Sequence, residues 1–97
     1  MASDVNDISI DYEEDGILIV KQLDKEILSK GAWTTIIFMY QDWDRKNEAY
    51  GDTRFTIRRY RKMSGEYRPQ SKFNISSATQ AEKIIEALTK WTNNKNG

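Results

Sequence analysis

The order of apolar and polar positions along the chain predicts a series of strands and then one helix. Ile8, Ile10 and Tyr12 alternate with Ser9 and Asp11, the period of two expected for a short half-buried strand. Glu13-Glu14-Asp15-Gly16 reads as a turn, with glycine free to take positive φ. Ile17-Leu18-Ile19-Val20 opens a second strand, apolar on both faces at first and polar from Lys21 and Gln22 onward. Leu23 to Leu28 either extends that strand or forms a short helical turn; strand is the preferred reading. After Ser29-Lys30-Gly31, the segment from Trp33 to Tyr40 is the most strand-like in the chain, dense in β-branched and aromatic residues. Trp33, Thr35, Ile37 and Met39 share one of its faces, and Thr34, Ile36, Phe38 and Tyr40 share the other. Both faces are largely apolar, so both should be covered, one of them by the helix.

Gln41 to Asp52 reads as a polar hairpin loop that carries Trp43 and Tyr50. Two readings of those rings stay open: they fold back onto the sheet edge, or Trp43 is a stacking platform for a ligand. In the next strand Phe55, Ile57, Arg59 and Arg61 share one face, and Arg54, Thr56, Arg58, Tyr60 and Lys62 the other. Met63-Ser64-Gly65-Glu66 is a turn. Pro69 has no N–H to give a ladder, so the arm Tyr67-Arg68-Pro69 belongs at a sheet edge. Phe73 and Ile75 alternate with Asn74 in a last strand. Ser77 and Gln80 then form an S-x-x-Q capping box, and Ala81, Ile84, Ile85, Leu88 and Trp91 make an apolar stripe at helical spacing. The expected fold is α+β: an antiparallel sheet of four to five strands followed by one C-terminal helix packed on it, in the order β-β-β-β-α. One domain is expected over residues 8–92, with an acidic disordered head at 1–7 and a frayed tail at 93–97.

A chain of 97 residues makes one domain with a modest core. It has no Cys and no His, which removes disulfides, thiolate chemistry, and the commonest general base and soft metal ligands. Asp42 and Asp44 flank Trp43 and could touch a divalent cation, but no further run of ligands follows, and a solvated loop accounts for them. No enzymatic activity, catalytic residue, metal, cofactor or small-molecule substrate is expected. No apolar run approaches a membrane span, and the N-terminus lacks the basic and apolar regions of a signal peptide. A cytoplasmic setting is therefore expected, nucleoid-associated in a bacterium.

Net charge is zero, but its distribution is uneven. Residues 1–15 carry six acids and no cation, whereas residues 53–97 carry ten Lys/Arg against Glu66, Glu82 and Glu86. The head is either a solvated tail or a segment that folds back on the basic hairpin. From Thr53 to Lys72 the cations Arg54, Arg58, Arg59, Arg61, Lys62, Arg68 and Lys72 face a single acid, and Phe55, Tyr60, Tyr67 and Phe73 are interleaved with them. Cations neutralise phosphates and flat rings stack on bases, so this combination suits a single-stranded nucleic acid.

Residues Phe55-Thr56-Ile57-Arg58-Arg59-Tyr60, Gly65-Glu66, Arg68-Pro69, Lys72 and Asn74-Ile75-Ser76 resemble the signature of the positive cofactor four family of transcriptional coactivators. Gln41-Asp42-Trp43 is similar to the preceding hairpin of that family. The resemblance spans roughly residues 33–91. It implies a curved four-stranded sheet with a helix, paired into a homodimer that binds single-stranded DNA, on a superfold shared with Whirly and Pur-alpha domains. By position it makes Arg58, Arg68 and Lys72 backbone-contacting cations and Trp43 the stacking ring. Arg61 stands where the family has an aromatic residue, and a guanidinium plane can also stack. Phe73 replaces a glycine.

The reading is a sequence-tolerant binder of single-stranded DNA or RNA, of transcription-regulator type. Arg54, Arg58, Arg61, Arg68, Lys72, Tyr60 and Trp43 would form its site, and Ile84, Leu88 and Trp91 its dimer interface. The alternative is a protein-interaction module that docks a partner through the apolar face of Trp33–Tyr40 and the basic hairpin.

Overall fold

The computed structural model describes residues 4–93. Six strands, β1 (Tyr12–Glu14), β2 (Ile17–Ser29), β3 (Trp33–Asp44), β4 (Ala49–Tyr50), β5 (Arg54–Met63) and β6 (Glu66–Ile75), precede helix α1 (Ala78–Asn93). All pairings are antiparallel, in the order β1-β2-β3-β5-β6, with β4 paired to the tip of β3. The expected α+β architecture is thus observed, and Leu23–Leu28 extends its strand. Register shifts at Tyr12/Glu13, Gln22/Asp24, Ile27/Ser29 and Arg59/Tyr60 curl the sheet.

Two hairpins close through two-residue turns whose central residues both have positive φ, Asp15-Gly16 (53° and 81°) and Ser64-Gly65 (54° and 79°). Turns of this kind match the twist of the flanking strands. Glu13 and Glu14, expected in the first turn, belong instead to β1. The polar stretch expected as a loop at 41–52 is partly strand. β3 runs on to Asp44, and Trp43 pairs with Tyr50 of β4.

Alternation along β3 sorts the sheet into two unlike faces. Thr34, Ile36, Phe38 and Tyr40 are buried, while Thr35, Ile37 and Met39 are half-buried. The buried face is covered by the N-terminal segment. Asp4 accepts the Asn6 N–H at 2.8 Å and caps a 3-10 turn over Val5–Asp7, after which Ile8 and Ile10 cross the sheet. Val5, Ile8 and Ile10 pack with Ile36, Phe38, Tyr40 and Tyr60, flanked by Val20, Ile27 and Tyr67. Each buried aliphatic contributes about 1.5–3 kcal/mol.

Of the head expected over 1–7, residues 4–7 hold this 3-10 turn with Val5 in the core, and residues 1–3 lie outside the described residues. The segment Ile8–Asp11 keeps its alternating burial but forms no ladder. Side chains take the place of a ladder. Gln22 Oε1 accepts the Ile10 N–H at 3.1 Å, and Asp11 Oδ1 accepts the Gln22 N–H at 2.7 Å. Lys25 Nζ donates to the carbonyls of Val5, Asn6 and Ile8 at 3.2, 2.9 and 2.7 Å.

Helix α1 behaves unlike its expectation. Its start is capped as the sequence suggests: the Gln80 N–H donates to Ser77 Oγ at 3.1 Å. The Gln80 side chain reaches back to the Ser76 N–H, at 2.7 Å, rather than to that of Ser77. Yet none of its residues is buried, and Ile85, Leu88 and Trp91 are 62%, 53% and 64% exposed. Of the strands the helix is nearest β6, and it does not cover the sheet. The N-terminal segment covers one face of β3, and the helix covers neither. The opposite face is more open: Ile75, paired with Phe55, is buried, Ile37, Met39, Phe55 and Ile57 are half-buried, and Phe73 is exposed. Asn93 closes the helix, and the rest of the expected frayed tail, 94–97, lies outside the described residues. Among the described residues no helix is long and apolar enough to cross a membrane.

Candidate nucleic-acid interface

The basic residues sit on two rungs of the sheet, one on each face. Arg58 of β5 lies directly opposite Lys72 of β6 and Ile36 of β3, on the covered face. Arg61 lies directly opposite Arg68 and Trp33, on the open face. Arg68 and Lys72 are four positions apart, a spacing that would place both on one face of a regular strand. The register shift at Arg59/Tyr60 breaks that phase. Arg59 pairs with Ser71 and Tyr60 with Pro69, so Gln70 is the extra residue and the two cations part to opposite faces. Pro69, with no N–H to offer, is suited to such a break in the edge strand.

On the covered face, Arg58, Pro69, Gln70, Ser71 and Lys72 line an open cleft of about 200 Å³. The Nε of Arg58 is enclosed there and has no hydrogen-bond partner. Leaving such a donor unsatisfied costs about 1–3 kcal/mol. Among the described residues, a carboxylate lies within 4 Å of only Arg45 (Glu14) and Arg54 (Asp42, at 3.9 Å). Arg58, Arg59, Arg61, Lys62, Arg68 and Lys72 carry no such partner, so their field is directed to solvent.

On the open face, the guanidinium carbons of Arg59 and Arg61 lie 4.5 and 5.3 Å from the centre of the Trp33 ring. Trp33 is 41% exposed. Cation–ring contacts at such exposed positions contribute about 0.5–1 kcal/mol each. Neither Trp33 nor Arg59 stands out in the sequence. Trp33 reads as one more ring of an apolar strand, and Arg59 as one cation among seven. The signal that joins them is the β3–β5 register, in which Trp33 faces Arg61 and Thr35 faces Arg59.

Other candidates are placed elsewhere. Tyr60 is 5% exposed and belongs to the core, so its ring is not offered to a ligand, which corrects the expectation for that residue. Burial raises its hydroxyl pKa above 10.0, and the Arg58 charge only partly offsets this. Trp43 stands ten residues along β3 from Trp33, about 33 Å at the rise of a strand. Its ring meets Tyr50 edge-on with centroids 5.0 Å apart, and the Tyr50 hydroxyl donates to the Leu18 carbonyl at 2.9 Å. Trp43 thus anchors the β3–β4 tip and is not brought to the basic rungs. Arg54, beside Asp42, is at the far end of β5 from Arg61. Asp44, one of the two acids flanking Trp43, accepts bonds from Lys46 and Asn47. These, the Asn47 side chain first, hold its carboxyl below the usual range. Ile84 is half-buried, while Leu88 and Trp91 are exposed on α1.

Comparison with known proteins finds no matching family model, no matching curated protein and no matching solved structure. The likeness to the positive cofactor four family rests on the motif residues quoted above.

Proposed function

We propose that this protein binds single-stranded nucleic acid, DNA foremost, without strong sequence preference, as a non-catalytic regulator of the coactivator type its motifs resemble. The observation that carries the reading is the cleft on the Arg58–Lys72 rung, where two cations on paired strands have no carboxylate within 4 Å among the described residues. A phosphate supplies the counter-charge that both cations lack. The rest of the reading is a homodimer held through Ile84, Leu88 and Trp91, in a cytoplasmic or nucleoid setting. The uncovered apolar stripe of α1 supports self-association.

That same stripe favours a second reading, a module that docks another protein. Light scattering at micromolar concentration separates the two: a dimer mass assigns the stripe to a second copy, and a monomer mass favours the second reading. The nucleic-acid reading is tested by fluorescence anisotropy with labelled oligo-dT across a salt series. Arg58→Ala and Lys72→Ala should each weaken binding and flatten the slope of log K against log [salt] by about 0.7, the single-strand value for one phosphate contact. Unchanged slopes remove these two cations from the site. No binding at low salt removes the reading.

A further inference from the structure

The face opposite the Arg58–Lys72 cleft carries a grouping that the cleft leaves without a role. Trp33, Arg61 and Arg68 form one rung across β3, β5 and β6, and Arg59 leans on the same indole from the next rung of that face. Neighbouring strands are about 4.8 Å apart, so the rung spans roughly 10 Å, enough for one nucleotide. The guanidiniums of Arg59 and Arg61 lie over the indole and Arg68 ends the rung, with no carboxylate within 4 Å of any of the three among the described residues. A cluster meant only for carboxylates needs cations and no ring. One meant for an unpaired nucleotide needs a flat surface for the base and cations for its phosphate, and both are present.

We infer that Trp33, flanked by Arg59 and Arg61, is a base-stacking site for one unpaired nucleotide, whose phosphate is held by Arg68. This rests on the single-strand reading above and adds a second point of attachment to it. Because β6 is the outermost strand, Lys72 on one face and Arg68 on the other flank a single free edge. A strand seated in the Arg58–Lys72 cleft reaches the Trp33 site by crossing that edge, so the two sites hold one ligand on both faces of the sheet. The role is distinct from that given to Trp43, whose ring is engaged with Tyr50.

The test uses the full chain with Trp43→Phe and Trp91→Phe, which leaves Trp33 as the sole indole. Oligo-dT and an abasic sugar-phosphate oligomer of the same length are titrated, with fluorescence and anisotropy read together. Binding of oligo-dT should quench Trp33, whereas the abasic oligomer should bind through its phosphates without quenching. In the otherwise natural chain, Trp33→Ala should weaken oligo-dT binding roughly 5- to 150-fold, the equivalent of one stacked base, and leave the salt slope unchanged. Trp33→Phe should retain most of the affinity. Saturating anisotropy with no change in Trp33 emission overturns this site while leaving the cleft reading intact. Quenching by poly-glutamate but not by oligo-dT overturns it in favour of an acidic protein partner. Absence of oligonucleotide binding by the natural chain overturns both readings.

Discussion

The two ends of the chain exchange the roles their sequences suggest. The N-terminal segment is acidic and sparse in apolar residues, yet Val5, Ile8 and Ile10 lie in the core. Helix α1 has a long apolar stripe and a good cap, yet none of its residues is buried. Amphipathic spacing shows that a segment has a side to bury; it does not show against what. The N-terminal segment can be buried because its backbone is satisfied from the sheet. Lys25 serves three carbonyls, and Gln22 and Asp11 exchange side-chain bonds with the opposite main chain. With those groups satisfied, three aliphatic side chains are enough to close one face.

The largest expected effect breaks this comparison directly. Ile10→Ala removes a side chain that is 7% exposed and packed among rings, and should destabilise the fold by about 2–4 kcal/mol. Leu88→Ala, on the exposed stripe, should change stability by less than about 0.5 kcal/mol at concentrations where the chain is monomeric. Urea denaturation of both variants at the same low concentration decides the matter. Equal losses would mean that α1 is covered within its own chain after all.

The next effect sharpens it. Lys25→Met keeps the length of the side chain and removes the donor that serves the carbonyls of Val5, Asn6 and Ile8. Two of those contacts are partly buried, so the substitution should cost about 1–3 kcal/mol. Hydrogen exchange should localise the loss. Amides of residues 6–10 should exchange faster while those of β3 and β5 keep their protection. Uniform acceleration would instead mean that the segment and the sheet open as one unit.

Much of this fold can be read from residue order. The β-branched run of β3, the turns at Asp15-Gly16 and Ser64-Gly65, and the Ser77 cap all express local preferences that the packed structure keeps. What escapes such reading is set by pairing. One extra residue at Gln70 moves Arg68 to the face opposite Lys72, and nothing local marks the break except Pro69 beside it. Trp33 becomes part of a cationic cluster only through its register with Arg61. Trp43 looks like a ring in a polar loop because the partner that engages it, Tyr50, is itself held by a hydrogen bond to a residue 32 positions earlier. The cations of the candidate site are thus legible as a group, but their division between two faces is not.

The smallest effect concerns Tyr60, where the N-terminal cover meets the basic strand. Burial raises its hydroxyl above the ordinary 10.0, with the Arg58 charge opposing. In the unfolded chain the phenol ionises near 10.0, so as pH rises past that value the unfolded state sheds its proton first. The native state then binds more protons, and stability falls with pH until the native phenol also ionises. Below 10.0 both states hold the proton and no loss is felt. Tyr60→Phe removes the ionisation, so its stability should decline less than that of the natural chain between about pH 9 and pH 11. Every other side chain is common to the two proteins, and its contribution cancels in the difference. Urea midpoints measured across that range check this. Parallel declines would mean that the hydroxyl reaches solvent past the N-terminal segment, and that the cover over this face is looser at β5 than at β3.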